Sequence, residues 1–167
     1  MIKFLSVVKK TIMNKNKEYW QLTKDIEEIP EFQKLKEETH HLLCSRYDHC
    51  QTVAVWSFRI AKLFKLDVRS TTRAALVHDW FYDYDEKHVS TLVKHPQMAY
   101  TIAREYIGLN EKEQNIIQSH MWPLGKTLPK YKESWLVTTI DKIVSLGEYG
   151  YKFKTTIAAC TLIFLSL

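Results

Sequence analysis

All seven histidines of this chain lie between His40 and His120, and at least four of them open or close an expected helix or sit on its inward stripe. An imidazole on a buried face needs a polar partner, so this distribution needs a reason. From His49, the residues Val53, Trp56, Ile60 and Leu63 follow at spacings of four, three, four and three, which places His49 on the buried stripe of an amphipathic helix. A second helix is expected to open near Ser70 as N-cap and to run through RAALVHD, with WFYDYDE forming its end and a loop.

In KHPQMAYTIAREYIG, Pro96 suits a first helical position, leaving His95 at or beside the N-cap, with Gly108 as the stop. His95, Ala99, Ile102 and Tyr106 then share a face. Asn110, with Glu113 three residues on, resembles a capping arrangement that opens a helix with Glu113, Ile116, Ile117 and His120 on one side. MWPLG breaks that helix. In ESWLVTTIDKIVSLGE, Val137, Asp141 and Val144 share a face, so a carboxylate sits among apolar residues, where an isolated charge is costly and a metal ion would explain it. Only four glycines and four prolines interrupt the 167 residues, which favours long helices over many short strands. The expectation is a single, compact, all-α domain.

Apolar residues make up 46% and charged residues 26% of the chain, close to the soluble average and unlike a disordered or membrane protein. The net charge of +5 draws anions, phosphates and nucleic acids alike, but the lysines form no dense block and no nucleic-acid motif is present. Cys44, Cys50 and Cys160 are odd in number and lack a CxxC spacing, which argues against a disulfide framework or thiolate zinc site and for a reducing cytoplasm. The opening MIKFLSVVKKTIMNKNK lacks the long apolar run of a signal peptide; it reads as a first helix or frayed extension, with a basic membrane-surface helix as the alternative. The apolar run Ile157 to Leu167 falls short of the roughly 20 residues a membrane span requires, and reads as a core helix or the stub of a longer one.

Imidazole and carboxylate form the ligand set of zinc, iron, manganese and related ions. Neighbouring helical side chains diverge by about 100°, so His78 can meet one ion while Asp79 reaches across two. The order RYDHC, LVHDW and then Asp with Lys in TTIDKIV resembles the H…HD…D signature of HD-domain phosphohydrolases, and the histidines of KHP and SHMWP resemble the subgroup that carries two metals. The resemblance covers roughly Glu31 to Glu148. It implies an HD domain over residues 31–150, flanked by a helical extension at 1–30 and an apolar helix at 151–167. It also implies a first ion on His49, His78, Asp79 and Asp141 and a second on Asp79, His95 and His120, with Asp79 bridging. Iron or manganese is favoured by the resemblance, with zinc, cobalt and nickel possible. His41, eight residues before His49, matches a histidine often found ahead of the motif and is read as supporting or structural; His40 and His88 match nothing.

Two ions about 3.5 to 4 Å apart can hold a shared water as hydroxide and neutralise phosphoryl oxygens, which suits hydrolysis of a phosphate ester or anhydride. Asp79 and Lys142 are the candidate catalytic residues, and Lys142 and Arg46, each next to a motif, are candidates to offer charge to a phosphate. Trp80, Phe81, Tyr82, Tyr84 and Trp122 either flank the site, where a base could stack, or seal the core. The expected partner is a small nucleotide-type phosphate, not a nucleic acid polymer. A di-iron oxygenase and a nucleotide-binding module without turnover are the alternatives.

Overall fold

Side chains that cap their own helices set where three of the helices begin. The computed structural model describes residues 17–40, 44–82 and 89–149. Among them are seven α-helices: α1 (Lys17–Glu27), the single turn α2 (Pro30–Gln33), α3 (Arg46–Leu63), α4 (Val68–Val77), α5 (Val89–Tyr106), α6 (Glu111–Ser119) and α7 (Lys132–Tyr149). A 3-10 turn, Lys34–Lys36, follows α2. Two short strands, β1 (Thr39–His40) and β2 (Cys44–Ser45), pair antiparallel just before α3, a small addition to an otherwise all-α fold.

Ser45 caps α3 by accepting the Asp48 N–H at 3.1 Å. The α4 helix begins earlier than expected, because Asp67 and not Ser70 is its N-cap: the Asp67 carboxylate accepts the Ser70 N–H at 3.0 Å. A carboxylate there also meets the positive end of the helix dipole. Ser70 instead accepts a hydrogen bond from the Asn110 side chain, joining the starts of α4 and α6. Asn110 and Glu113 form the full capping box, each side chain accepting the other's backbone N–H at 2.9 Å.

The α5 helix departs from expectation too. It runs through Pro96, so His95 lies within it and not at its N-cap. Proline removes one backbone hydrogen bond, and burial of the inner face through His95, Pro96, Ala99 and Ala103 offsets that loss. On α3 the inward face is broader than the expected stripe: Leu63 is exposed and Trp56 and Ile60 are only half-buried, while Cys50, Ala54, Ser57, Phe58 and Ala61 join His49 and Val53 inside. The reason is that α3 packs against both α4 and α7, and small side chains let those neighbours approach.

The α4 helix also packs on α6, and α6 on α5 and α7, so α4 and α6 end where α3, α5 and α7 pass. Tyr19 and Ile26 of α1 belong to the same core cluster as Phe58, Leu76, Trp80, Ile116 and Val137. The segments 1–16, 41–43, 83–88 and 150–167 lie outside the described residues, and with them His41, His88, Tyr84 and both terminal apolar runs. Among the described residues no helix is long and apolar enough to cross a membrane.

A buried cation ties α1 and α6 to α4. Arg73 donates to Asp25 at 2.7 Å and to the Leu22 carbonyl at 2.9 Å, and lies 3.8 Å from the buried carboxylate of Glu113. Replacing Arg73 with Ala strands Glu113 without its counter-charge and is expected to cost about 3–5 kcal/mol. Asp25 is half-exposed, so Asp25→Ala is expected to cost at most about 1 kcal/mol. Urea unfolding followed by circular dichroism checks the contrast; equal losses would mean that Arg73 acts through Asp25 alone.

Candidate metal centre

Two helix ends bring the central side chains together. His78 is the C-cap of α4 and His120 the C-cap of α6, both in helical conformation. Each ring turns back on its own helix: His78 Nδ1 lies 2.8 Å from the Ala75 carbonyl and His120 Nδ1 2.7 Å from the Ile117 carbonyl. A carbonyl only accepts, so both Nδ1 atoms carry the proton and both Nε2 atoms face the interior. Just beyond α4 the chain turns, with the Phe81 N–H bonded to the Asp79 carbonyl, and Asp79 projects between the two rings.

The two oxygens of Asp79 have different neighbours. Oδ2 lies 3.7 Å from His78 Nε2 and 3.9 Å from His49 Nε2. Oδ1 lies 3.2 Å from His95 Nε2 and 3.3 Å from His120 Nε2. From α7, Asp141 Oδ1 approaches His49 Nε2 at 3.1 Å and His78 Nε2 at 3.5 Å. All six side chains are buried. The sets His49, His78, Asp79; His78, His120, Asp141; and Asp79, His95, His120 each place their donor atoms within 4.8 Å of one another and can hold a metal ion.

Several details fit a cation. His78 Nε2 and Asp79 Oδ1 are buried and, although close to opposite charges, are aligned with none of them as donor and acceptor. His95 Nε2 and His120 Nε2 face each other at 2.8 Å, nitrogen to nitrogen, a spacing that a shared proton or cation relieves. His49 Nδ1 lies 3.0 Å from a carboxylate oxygen of Glu148, the carboxylate and histidine pairing that raises the basicity of a ligand.

In the protein alone, protons provide the balancing charge. Burial pulls His49 down, but hydrogen bonds to Asp141 and Glu148 prevail and push it up to about 10. Burial acts likewise on His78, where the charge of Asp79 and the nearby carboxylate of Asp141 hold it well above the usual imidazole range. His120 is lowered by burial. Burial would raise Asp79 and Asp141, yet both are held well below the usual carboxylate range, Asp79 first by the charges of His78 and His95 and Asp141 by the hydrogen bond with His49 and the nearby charge of His78.

Around this centre the other expected residues divide. Lys142 Nζ donates to the His120 backbone carbonyl at 2.9 Å, and burial lowers its pKa. Arg46 is buried with its guanidinium on the ring of Phe81, and Phe81 stacks on His95. Trp80 packs in the core between Phe32 and Tyr106, and the Tyr82 hydroxyl donates to the Glu31 carbonyl. Trp122 is half-buried in the turn after α6. Sequence reasoning missed Glu148; its signal is the seven-residue spacing from Asp141, two turns along one helical face.

An all-helical bundle with buried histidines and carboxylates converging from five helices defines a metal-site class of fold. The HD domain family model matches residues 46–146, and the chain belongs to that family, whose superfamily consists mostly of metal-dependent phosphohydrolases. No curated protein and no solved structure matches the chain.

The proton balance gives a pH dependence. His49 is raised from its ordinary 6.5 to about 10, so its stabilising charge is full below 6.5 and is lost as pH rises through about 10. Asp79 and Asp141 are lowered from 3.8, so their contribution is full above that value and is lost on acidification. His120, lowered from 6.5 by burial, costs stability below that value, so chelator-treated protein is expected to melt highest near pH 6.5 and progressively lower toward about pH 10. Stabilisation by added manganese should instead grow from about pH 6 to 8, since metal and proton compete for the same nitrogens. A flat metal-free melting profile above pH 6.5 would contradict this charge assignment.

Proposed function

We propose that this chain is a two-metal phosphohydrolase that cleaves a phosphate ester or anhydride of a small nucleotide-type substrate. The observation that carries the reading is the division of Asp79, one oxygen facing His49 and His78 and the other facing His95 and His120. In this reading His49, His78, Asp79 and Asp141 hold the first ion, and Asp79, His95 and His120 the second. Two divalent ions, iron or manganese in preference to zinc, cobalt or nickel, supply a water-derived nucleophile at neutral pH and neutralise phosphoryl oxygens.

The chain's own groups have the following parts. Asp79 would serve both ion sites, one oxygen toward each. Backbone carbonyls hold His78 and His120 with Nε2 inward, and Glu148 does the same for His49. Lys142 uses N–H groups on the His120 and Thr138 carbonyls, and a lysine has three, so it retains one donor for a phosphoryl oxygen. With Trp80 and Tyr82 engaged in packing, base stacking falls to Trp122. Enclosure of the ligands by helices favours a small molecule over a nucleic acid polymer. The free, buried Cys50 supports a reducing, cytoplasmic setting.

Protein purified without chelator is expected to carry close to two transition-metal ions per chain. Elemental analysis that finds none, even after reconstitution with iron or manganese, removes this reading. Asp79→Ala should abolish both metal retention and hydrolysis, whereas His120→Ala should lose mainly one ion.

A panel of nucleotides, dinucleoside polyphosphates, cyclic dinucleotides and phosphomonoesters, assayed with iron, manganese, cobalt and zinc in turn, tests the substrate class. Turnover of at least one nucleotide-type phosphate is expected. Trp122→Ala should weaken that substrate by about 1–3 kcal/mol while sparing a simple phosphomonoester. Oxygen consumption with mixed-valent iron, or nucleotide binding without hydrolysis by fully metallated protein, would replace the hydrolase reading.

A further inference from the structure

Among the described residues of the aromatic run, Phe81, two residues beyond Asp79, lies against a ligand-type histidine. Its ring is nearly parallel to that of His95, with centroids 5.0 Å apart and planes 20° from coincidence. The guanidinium carbon of Arg46 sits 3.6 Å from the centroid of the same ring. Arg46, Phe81 and His95 are 3%, 6% and 6% exposed, so the three flat groups meet away from water. A cation is held strongly on an aromatic face when desolvated. Arg46 begins α3, Phe81 follows α4 and His95 lies in α5, so the contact spans three elements.

We infer that Arg46 and Phe81 are positioning residues that fix the ring plane of His95 and thereby set the affinity of the second ion. The inference rests on the two-ion reading above. An imidazole that turns about its Cβ–Cγ bond swings Nε2 out of line, and a ring stacked on its plane resists that turn. Arg46 anchors Phe81 by its charge and is itself anchored by burial. If Arg46 acted mainly by its positive charge it would repel a nearby ion, so removing it would tighten binding; a positioning role has the opposite sign.

The test is titration of the full chain with manganese by calorimetry and elemental analysis, for the wild type, Phe81→Leu, Phe81→Tyr and Arg46→Met. Phe81→Leu and Arg46→Met are expected to leave the first ion in place and to weaken the second on the order of 10-fold. Phe81→Tyr keeps the flat face and is expected to bind both ions as the wild type does. Wild-type affinity for the second ion in Phe81→Leu, or tighter binding in Arg46→Met, overturns the inference.

Proton resonances of metal-free protein separate this inference from the two-ion reading. The His95 Cε1–H signal should be displaced upfield by the Phe81 ring current, relax in Phe81→Leu, return in Phe81→Tyr and move or broaden in Arg46→Met. If the wild type takes up only one ion while these shifts appear, the two-ion reading falls and the positioning of His95 stands. If the His95 signal is the same in the wild type and Phe81→Leu, the positioning claim fails whatever the metal count.

Discussion

Burying the carboxylate of Asp79 is the commitment around which this fold is arranged. A lone carboxylate in a helical interior would neutralise itself by taking up a proton. Here the reverse occurs, because imidazole nitrogens from α3, α4, α5 and α6 surround its two oxygens at 3.2 to 3.9 Å. Each nitrogen comes from a different helix or helix end, so Asp79 can be both buried and charged only when the whole bundle is assembled. Folding and the formation of a cation site are therefore one event in this chain.

The same local device serves twice. α4 and α6 each stop at a histidine whose Nδ1 bonds to the carbonyl three residues earlier, Ala75 in one and Ile117 in the other. The bond satisfies a carbonyl that the helix end leaves without an intrahelical partner, and it leaves Nε2 as the nitrogen directed at the centre. Both helices also direct their C-terminal, partially negative ends toward the site, which favours positive charge there, whether on a proton or a metal ion.

How much of this was legible in the sequence depended on whether the determining contact was local. The Asn110 and Glu113 capping box uses residues three apart, and it formed as expected. The start of α4 was misplaced because Asp67 and Ser70 are both good caps, and the stronger carboxylate lies one turn earlier. The place of Pro96 inside α5 follows from burial of a face whose neighbours are distant in sequence. On α3, hydrophobic size marked Trp56, Ile60 and Leu63, but proximity to two helices selected Ala54, Ser57 and Ala61 for the interior. The six ligand-type residues were legible in order from the resemblance, and periodicity set His49, His120 and Asp141 on apolar faces, but nothing of the kind marked His78 or Asp79 as buried. Which oxygen of Asp79 faces which ring was not, since it depends on the crossing of five helices.

The α7 helix connects the two halves of the centre. Asp141 meets His49 and His78 directly, and one turn on Ser145 lies 3.5 Å from the same Asp141 oxygen. Two turns on, Glu148 holds the far side of the His49 ring. Lys142, next along the helix, instead reaches across to the backbone of His120, whose ring faces the other oxygen of Asp79. A rigid helix thus touches the histidines on both sides of the Asp79 carboxylate, through a side chain on one side and a backbone carbonyl on the other. Any shift of α7 along its axis must change both sets together, so the relative placement of the two halves is fixed by one element and not by several independent loops.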